Sequence, residues 1–164
     1  MSTRLLLALA LAAAPAPALA SSQTPTFDTA TTVDSLRVQA ELQRAEKATY
    51  GGRSGEARAI YRRLLDQHRD AGEYAKATLW NLALHYLYHD DTRNAAATLD
   101  ELAKQANQFG DPTMELRATF EAAVLWNKRK AHAFAAEHAV RIRDLMKSPV
   151  IAESEKEEFR RRMS

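Results

Sequence analysis

The sequence predicts an all-α protein built from repeated pairs of helices. Amphipathic patterns with helical spacing follow one another, separated by short polar turns. One aromatic set and one alanine set recur every 38 positions: Tyr50, Tyr88 and Trp126, and Ala57, Ala95 and Ala133. Gly72 and Gly110 repeat at the same interval, at the turns between units. A fixed period in this range is typical of a helical repeat array.

Residues 1–20 predict a secretory signal peptide that is not part of the fold. Arg4 gives a positive start, and Leu5–Ala14 is an apolar run that ends at Pro15. The Ala-Leu-Ala sequence at 18–20 is the small-residue pattern that signal peptidase recognises, so cleavage is expected after Ala20. A membrane anchor is the alternative, but the apolar run is short for a bilayer. The expected location of the mature protein is the periplasm or the exterior of the cell.

The composition limits how the mature chain is held together and what it binds. It contains no cysteine, so neither a disulfide framework nor a lipoprotein anchor is expected. Removing the signal peptide, which holds one basic residue, leaves 22 basic and 21 acidic residues. Charges of both signs are mixed along the chain, which disfavours nucleic-acid binding. No later apolar run approaches membrane-spanning length, so stable membrane insertion after signal cleavage is not expected.

The mature chain is predicted to contain a leader, a repeat domain and a cap. Residues 21–33 are rich in serine and threonine and predict a flexible leader. The repeat domain covers 34–147, in units of about 34–71, 72–109 and 110–147. Residues 148–164 are predicted to form a C-terminal capping helix and tail, because 152–162 are charged and Phe159 is their main apolar contact. Arg160–Arg162 is interpreted as a frayed tail, with an anionic-lipid contact as the alternative.

Start and stop signals place the helices inside the units. Gly51 and Gly52 end the first helix near Tyr50, and Ser54 is expected to cap the second. One apolar stripe then marks the second helix: Ala57, Ile60, Tyr61, Leu64 and Leu65. The third helix, at about 73–89, is apolar nearly all round, which predicts burial on several sides.

The second half of the chain repeats this layout. The turn at 90–92 is expected to cap the fourth helix. Asp111 caps the fifth helix and Pro112 occupies its first position, where the missing N–H costs nothing. Residues 127–130 make the next turn, and Ser148-Pro149 ends the sixth helix.

The helix pairs resemble tetratricopeptide repeats. In that family a small residue lies mid-way along the first helix, an aromatic follows three residues later, and a second small residue opens the second helix. The middle unit matches with Ala83, Tyr86, Ala95 and Leu99, and the first unit with Ala45, Ala48, Ala57 and Tyr61, where Ala48 replaces the aromatic. In the third unit Ala133 fits, but Glu121 stands where a small residue is expected, and the second helix is shifted by a residue or two.

The resemblance implies an all-α, right-handed α-α superhelix, a TPR-like solenoid of about three helical hairpins plus a C-terminal capping helix. The period of 38 exceeds the family's usual length of about 34 residues. Related helical-hairpin solenoids therefore stay open as alternatives.

Such proteins bind a partner protein or peptide in the concave groove lined by the first helix of each unit. The groove positions carried across are Gln39, Leu42, Glu46 and Tyr50, then Ala77, Trp80, Leu84 and Tyr88, then Glu115, Ala118, Ala122 and Trp126. Their aromatic members supply the kind of contact that dominates binding energy at interfaces. The alternative is that these aromatics are ordinary core between units.

Two other hypotheses compete with a binding scaffold. His85 and His89 lie four residues apart on one helix face and could form a metal pair, although Tyr86 stands where a zinc protease has glutamate. No phosphate-binding loop or nucleophile elbow is present, so neither catalysis nor a cofactor is expected. The other hypothesis is self-association into a homo-oligomer. The sequence favours an exported, non-catalytic interaction scaffold, with cell-envelope assembly as its setting.

Overall fold

The computed structural model describes the backbone of residues 29–163 and the side chains of residues 35–162. Over this range the chain forms α-helices and no strand, so the all-α prediction is confirmed. The helices are α1 (Thr29–Tyr50), α2 (Ser54–Ala71), α3 (Lys76–Tyr88), α4 (Thr92–Gln108), α5 (Pro112–Lys128), α6 (His132–Leu145) and α7 (Glu153–Met163). None of these helices is long and apolar enough to cross a lipid bilayer. The predicted signal peptide lies outside the described residues.

The observed helix starts and capping residues agree only in part with the predicted ones. α1 begins at Thr29, inside the predicted leader 21–33, whose first eight residues lie outside the described range. The side chains of Asp91 and Asp111 cap α4 and α5 as expected, since each accepts a hydrogen bond from a backbone N–H three residues later. Ser54 is not a cap, because it is already the first residue of α2 and no side chain caps that helix.

The turns that connect α1 through α6 share one geometry. A residue with a left-handed backbone lies at the centre of each: Gly52, Gly72, Asp90, Gly110 and Lys130. The residue after each one donates its backbone N–H to the carbonyl five positions earlier, at 2.8–2.9 Å. This bond is the mark of the Schellman motif, which satisfies the last carbonyls of a helix. The repeat is therefore visible in the backbone hydrogen bonds of the turns as well as in the sequence.

These turns show that the repeat lengthens in its third unit. Gly52 and Asp90 are 38 positions apart, but Asp90 and Lys130 are 40 apart. The two added residues lie between Gly110 and Lys130, the stretch that contains α5.

The predicted equivalences of Trp126 with Tyr88 and of Ala133 with Ala95 are therefore wrong. The carbonyl of Trp126 accepts the turn hydrogen bond that the carbonyl of Tyr86 accepts one unit earlier. Ala135, rather than Ala133, is in the position of Ala95. The backbone N–H of Ala135 donates to the carbonyl of the residue just before α6, as that of Ala95 donates to the carbonyl of the residue just before α4. Burial agrees, because Ala95 is fully buried whereas Ala133 is exposed.

With the 40-residue spacing, the third unit has the same small residue and following aromatic as the middle unit. Ala123, rather than Glu121, occupies the position of Ala83, and Trp126 follows it three residues later as Tyr86 follows Ala83. The departure noted at Glu121 is a consequence of the longer α5.

The buried side chains form successive clusters along the chain. One joins α1, α2 and α3 around Tyr61 and Leu64, and the next joins α3, α4 and α5 around Leu102 and Ala118. A third joins α5, α6 and α7. Consecutive helices pack against each other from α1 to α6, and α1 also contacts α3. A core that passes from one helix group to the next is typical of arrays in which each unit contacts its neighbours.

α7 covers the end of this series. Phe159 is 1% exposed, and its ring lies 5.2 Å from that of Phe120 in α5. Arg162 pairs with Glu121 at 2.7 Å, and its guanidinium carbon lies 4.5 Å from the centre of the Phe120 ring. The capping contact predicted for Phe159 is present, but the frayed tail predicted at Arg160–Arg162 is wrong for Arg162.

Candidate binding surface

The helices that open the three units expose a row of large side chains. We call this surface the first-helix face and define it by six residues: Glu46, Tyr50, Trp80, Leu84, Tyr88 and Val124. The tyrosines are 60% and 55% exposed, and their rings meet edge to face with centres 4.9 Å apart. By the register of the turns, Val124 takes the position in α5 that Leu84 takes in α3.

An apolar pocket opens on the first-helix face between α3, α4 and α5. Its volume is about 240 Å³, and apolar side chains make up nearly all of its lining: Trp80, Ala83, Leu84, Leu87, Leu99 and Leu125. Glu121 is the single charged residue in this lining. Because its carboxylate is held by Arg162, the pocket offers mainly an apolar contact.

A second, smaller pocket lies beside it, between α1, α2 and α3. Its volume is about 20 Å³, and its lining is mostly polar: Glu46, Thr49, Tyr50, Tyr61, Asn81, Leu84 and His85. Leu84 lines both pockets, so the two are neighbours on one surface.

Most groove residues predicted for the first two units lie at or near this surface. Gln39, Glu46 and Ala77 are exposed, as are Tyr50, Leu84 and Tyr88. Trp80 is half-buried in the wall of the apolar pocket. Leu42 is half-buried and packs against the first core cluster.

The groove residues predicted for the third unit lie elsewhere. Glu115 is 6% exposed, Ala118 and Ala122 are fully buried, and Trp126 is half-buried. A shift of two residues turns a side chain about 200° around a helix, so these four point away from the first-helix face. Trp126 donates its Nε1–H to Asp100 in α4 at 2.9 Å and stacks on Phe134 in α6. The overlooked residue was Val124, and the Ala123-to-Trp126 spacing was the signal that could have revealed it.

His85 is a structural residue. Its Nδ1 lies 2.8 Å from the Thr49 hydroxyl and its Nε2 lies 3.3 Å from the Ser54 hydroxyl. The Thr49 hydroxyl donates to the carbonyl of Ala45, so His85 Nδ1–H donates to Thr49 and Nε2 accepts from Ser54. Burial lowers the pKa of His85, and the nearby His89 adds to this effect. The neutral ring of His85 thus links α3 to α1 and α2 through hydrogen bonds.

This arrangement bears on the metal hypothesis. Both ring nitrogens of His85 are engaged, although its ring lies 4.7 Å from that of His89. Nowhere between residues 29 and 163 do three or more His, Asp or Glu side chains converge as a metal site requires. His85 would have to give up its bonds to α1 and α2 before it could bind a metal.

A polar cleft of about 560 Å³ lies between α4, α5 and α6, apart from the first-helix face. Glu115 accepts hydrogen bonds there from Arg141 at 2.6 Å and from Asn107 at 3.1 Å. His138 contacts Asp100 through Nε2 at 2.6 Å and the carbonyl of Phe134 through Nδ1 at 2.7 Å. Both partners of His138 are acceptors, so the arrangement suits the protonated ring, in which both nitrogens donate. The cleft therefore joins three helices through paired charges.

Protonation of His138 makes stability depend on pH. The hydrogen bond to Asp100 raises the pKa of His138 above its ordinary value of 6.5, while burial opposes the rise. Because the folded state binds this proton more tightly, the contribution to stability is present below 6.5 and is lost as pH rises through the folded pKa. We expect His138→Gln to remove that part of the pH dependence. Urea unfolding at several pH values on both sides of 6.5 measures it, with the exposed His132→Gln as control.

Comparison of the chain with protein-family models, curated proteins and solved structures found no match. The assignment of a site accordingly depends on the geometry of this chain alone. By that criterion the first-helix face is the strongest candidate, because it combines exposed aromatic side chains with an apolar pocket.

Proposed function

We propose that this protein is an exported, non-catalytic binding module that holds a partner protein or peptide on its first-helix face. The observation that carries the proposal is that Leu84, which is about half exposed, lines an apolar pocket of about 240 Å³. The neighbouring pocket that Leu84 also lines adds Tyr50, which is in contact with Tyr88, and both tyrosines are about half exposed. Exposed apolar side chains grouped around a pocket mark interaction sites, and aromatic residues dominate the energy of such contacts.

The repeat geometry supports the same function. Helix pairs that stack in one direction, as in the tetratricopeptide family, form a right-handed superhelix whose first helices line the concave side. The small residues Ala45, Ala83 and Ala123 fit that arrangement, because alanine lets neighbouring helices approach closely. The signal peptide proposed for residues 1–20 would direct the module out of the cytoplasm, with the cell envelope as its setting.

Photo-crosslinking tests this function at single residues. We would place a photoreactive amino acid at position 84 in the full chain, expressed in its native cells, and a matched one at the exposed position 62 of α2. A partner adduct is expected from position 84 and not from position 62. Adducts of twice the protein's mass would favour self-association, and identical adducts from both positions would contradict the proposal.

A further inference from the structure

One acidic side chain on the first-helix face has no electrostatic partner in the part of the chain that the structure describes. Several other carboxylates of the early helices are paired, as Glu41 is with Arg63 and Glu56 with Arg44. Glu46 forms no ion pair or hydrogen bond with any residue that the structure describes. Its negative charge is therefore available to a molecule that binds at the small pocket.

The groups around Glu46 suit a cation. Asn81 donates its Nδ2 to the carbonyl of Ala77 at 2.8 Å, which leaves its side-chain oxygen as an acceptor at the small pocket. Tyr50 adds an aromatic ring to this lining, and the Tyr88 ring lies against it; the faces of such rings attract positive charge. Tyr61 lines the same pocket as Glu46. Burial raises the pKa of Tyr61, and the charge of Glu46 adds to that rise.

The size of the small pocket favours one kind of cation. About 20 Å³ holds roughly one water-sized group. An ammonium group is compact, whereas a guanidinium is a broad planar fork. The pocket thus suits lysine better than arginine.

The neighbouring apolar pocket sets a second requirement. It has about twelve times the volume of the small pocket and takes a bulky apolar side chain. Since Leu84 lines both pockets, the two anchoring side chains of a ligand must be close neighbours.

We propose that the first-helix face selects a protein segment that places a bulky apolar side chain in the apolar pocket and an adjacent lysine against Glu46. This inference rests on the proposed function and adds the chemistry of the partner to it. The partner is a basic and apolar segment, complementary to the unpaired carboxylate and the apolar wall.

A panel of synthetic peptides tests the inference. All have one length and carry a leucine and a lysine, spaced by two residues for an extended segment or by four for a helix. Matched peptides replace the lysine with acetyl-lysine, glutamate or arginine, or the leucine with serine. Dissociation constants are measured by fluorescence anisotropy of labelled peptides with wild type and with Glu46→Gln. Glu46 is exposed, so this variant is expected to keep its thermal stability.

In one of the two spacings the leucine–lysine peptide is expected to bind wild type roughly tenfold more tightly than its acetyl-lysine counterpart. Glu46→Gln should remove most of this preference, and added salt should reduce it. The serine peptide should bind weakly to both proteins.

Three results would overturn the lysine inference: no binding of any peptide, equal binding of lysine and acetyl-lysine peptides, or tighter binding of the arginine peptide. The photo-crosslink at position 84 is independent of these peptides. A partner adduct there with a failed peptide test would leave the binding function standing and remove only its lysine chemistry. Absence of the adduct would remove the binding function itself.

Discussion

Replacing Ala122 with lysine is expected to destabilise the fold by about 4 kcal/mol or more. Ala122 is fully buried in the cluster formed by α3, α4 and α5. A lysine there would have to bury its ammonium group without a partner or push these helices apart. Urea denaturation followed by circular dichroism measures the loss as a fall in the unfolding midpoint relative to the wild type, and the absence of a folded baseline would indicate a still larger loss.

The matched control lies two residues away on the same helix. Val124 is 47% exposed, so Val124→Lys should change stability by no more than about 0.5 kcal/mol. A fixed 38-residue period predicts the opposite result. It places Ala122 on the exposed groove, where a lysine would change stability little. If Ala122→Lys is tolerated and Val124→Lys is not, the two-residue insertion in α5 is wrong.

Truncating Phe159 to alanine is expected to cost about 3–5 kcal/mol. Its ring contacts Phe120, and its cluster includes Leu116, Ile142 and Ile151 from α5, α6 and the segment before α7. The substitution would leave a cavity between α7 and the helices beneath it. Thermal and urea unfolding both report this loss.

Phe134→Ala is the control for a phenylalanine outside the core. Phe134 is 53% exposed and stacks on Trp126, so its truncation should cost about 1 kcal/mol. A loss of stability in Phe159→Ala as small as the one expected for Phe134→Ala would show that α7 does not contribute to a shared core and would contradict its role as a cap.

The sequence predicted the elements of this fold well because local signals specify them. Gly52, Gly72 and Gly110 mark three of the turns, since glycine adopts the left-handed backbone without strain. The stripe through Ala57, Ile60 and Leu64 identified the buried face of α2. Such signals depend on residues within one or two helical turns.

The register of the third unit was not predictable in the same way. Asp90 and Lys130 adopt the left-handed backbone without being glycine, so the turn that sets the 40-residue spacing carries no strong mark. Trp126 and Ala133 also happen to extend the 38-residue period, which favoured the wrong alignment. The site residues on α5 were misplaced for this reason alone.

Contacts between distant residues were the other source of error. Serine is a favoured residue at helix caps, but the hydroxyl of Ser54 is hydrogen-bonded to His85, which is 31 positions away. Arg162 reads as part of a charged tail, yet it pairs with Glu121 across α5 and α7. A local pattern contains no information about such partners.

Cysteine labelling tests the central claim, that the first-helix face is open in the isolated protein and covered in the complex. The chain has no native cysteine, so each single-cysteine variant reports one position. Leu84→Cys and Val124→Cys are expected to react rapidly with a maleimide, and Ala118→Cys only after unfolding. Addition of the partner captured at position 84 should protect Leu84→Cys and leave Arg62→Cys reactive. Slow labelling at positions 84 and 124 in the isolated protein, or equal protection at 84 and 62, would contradict the account.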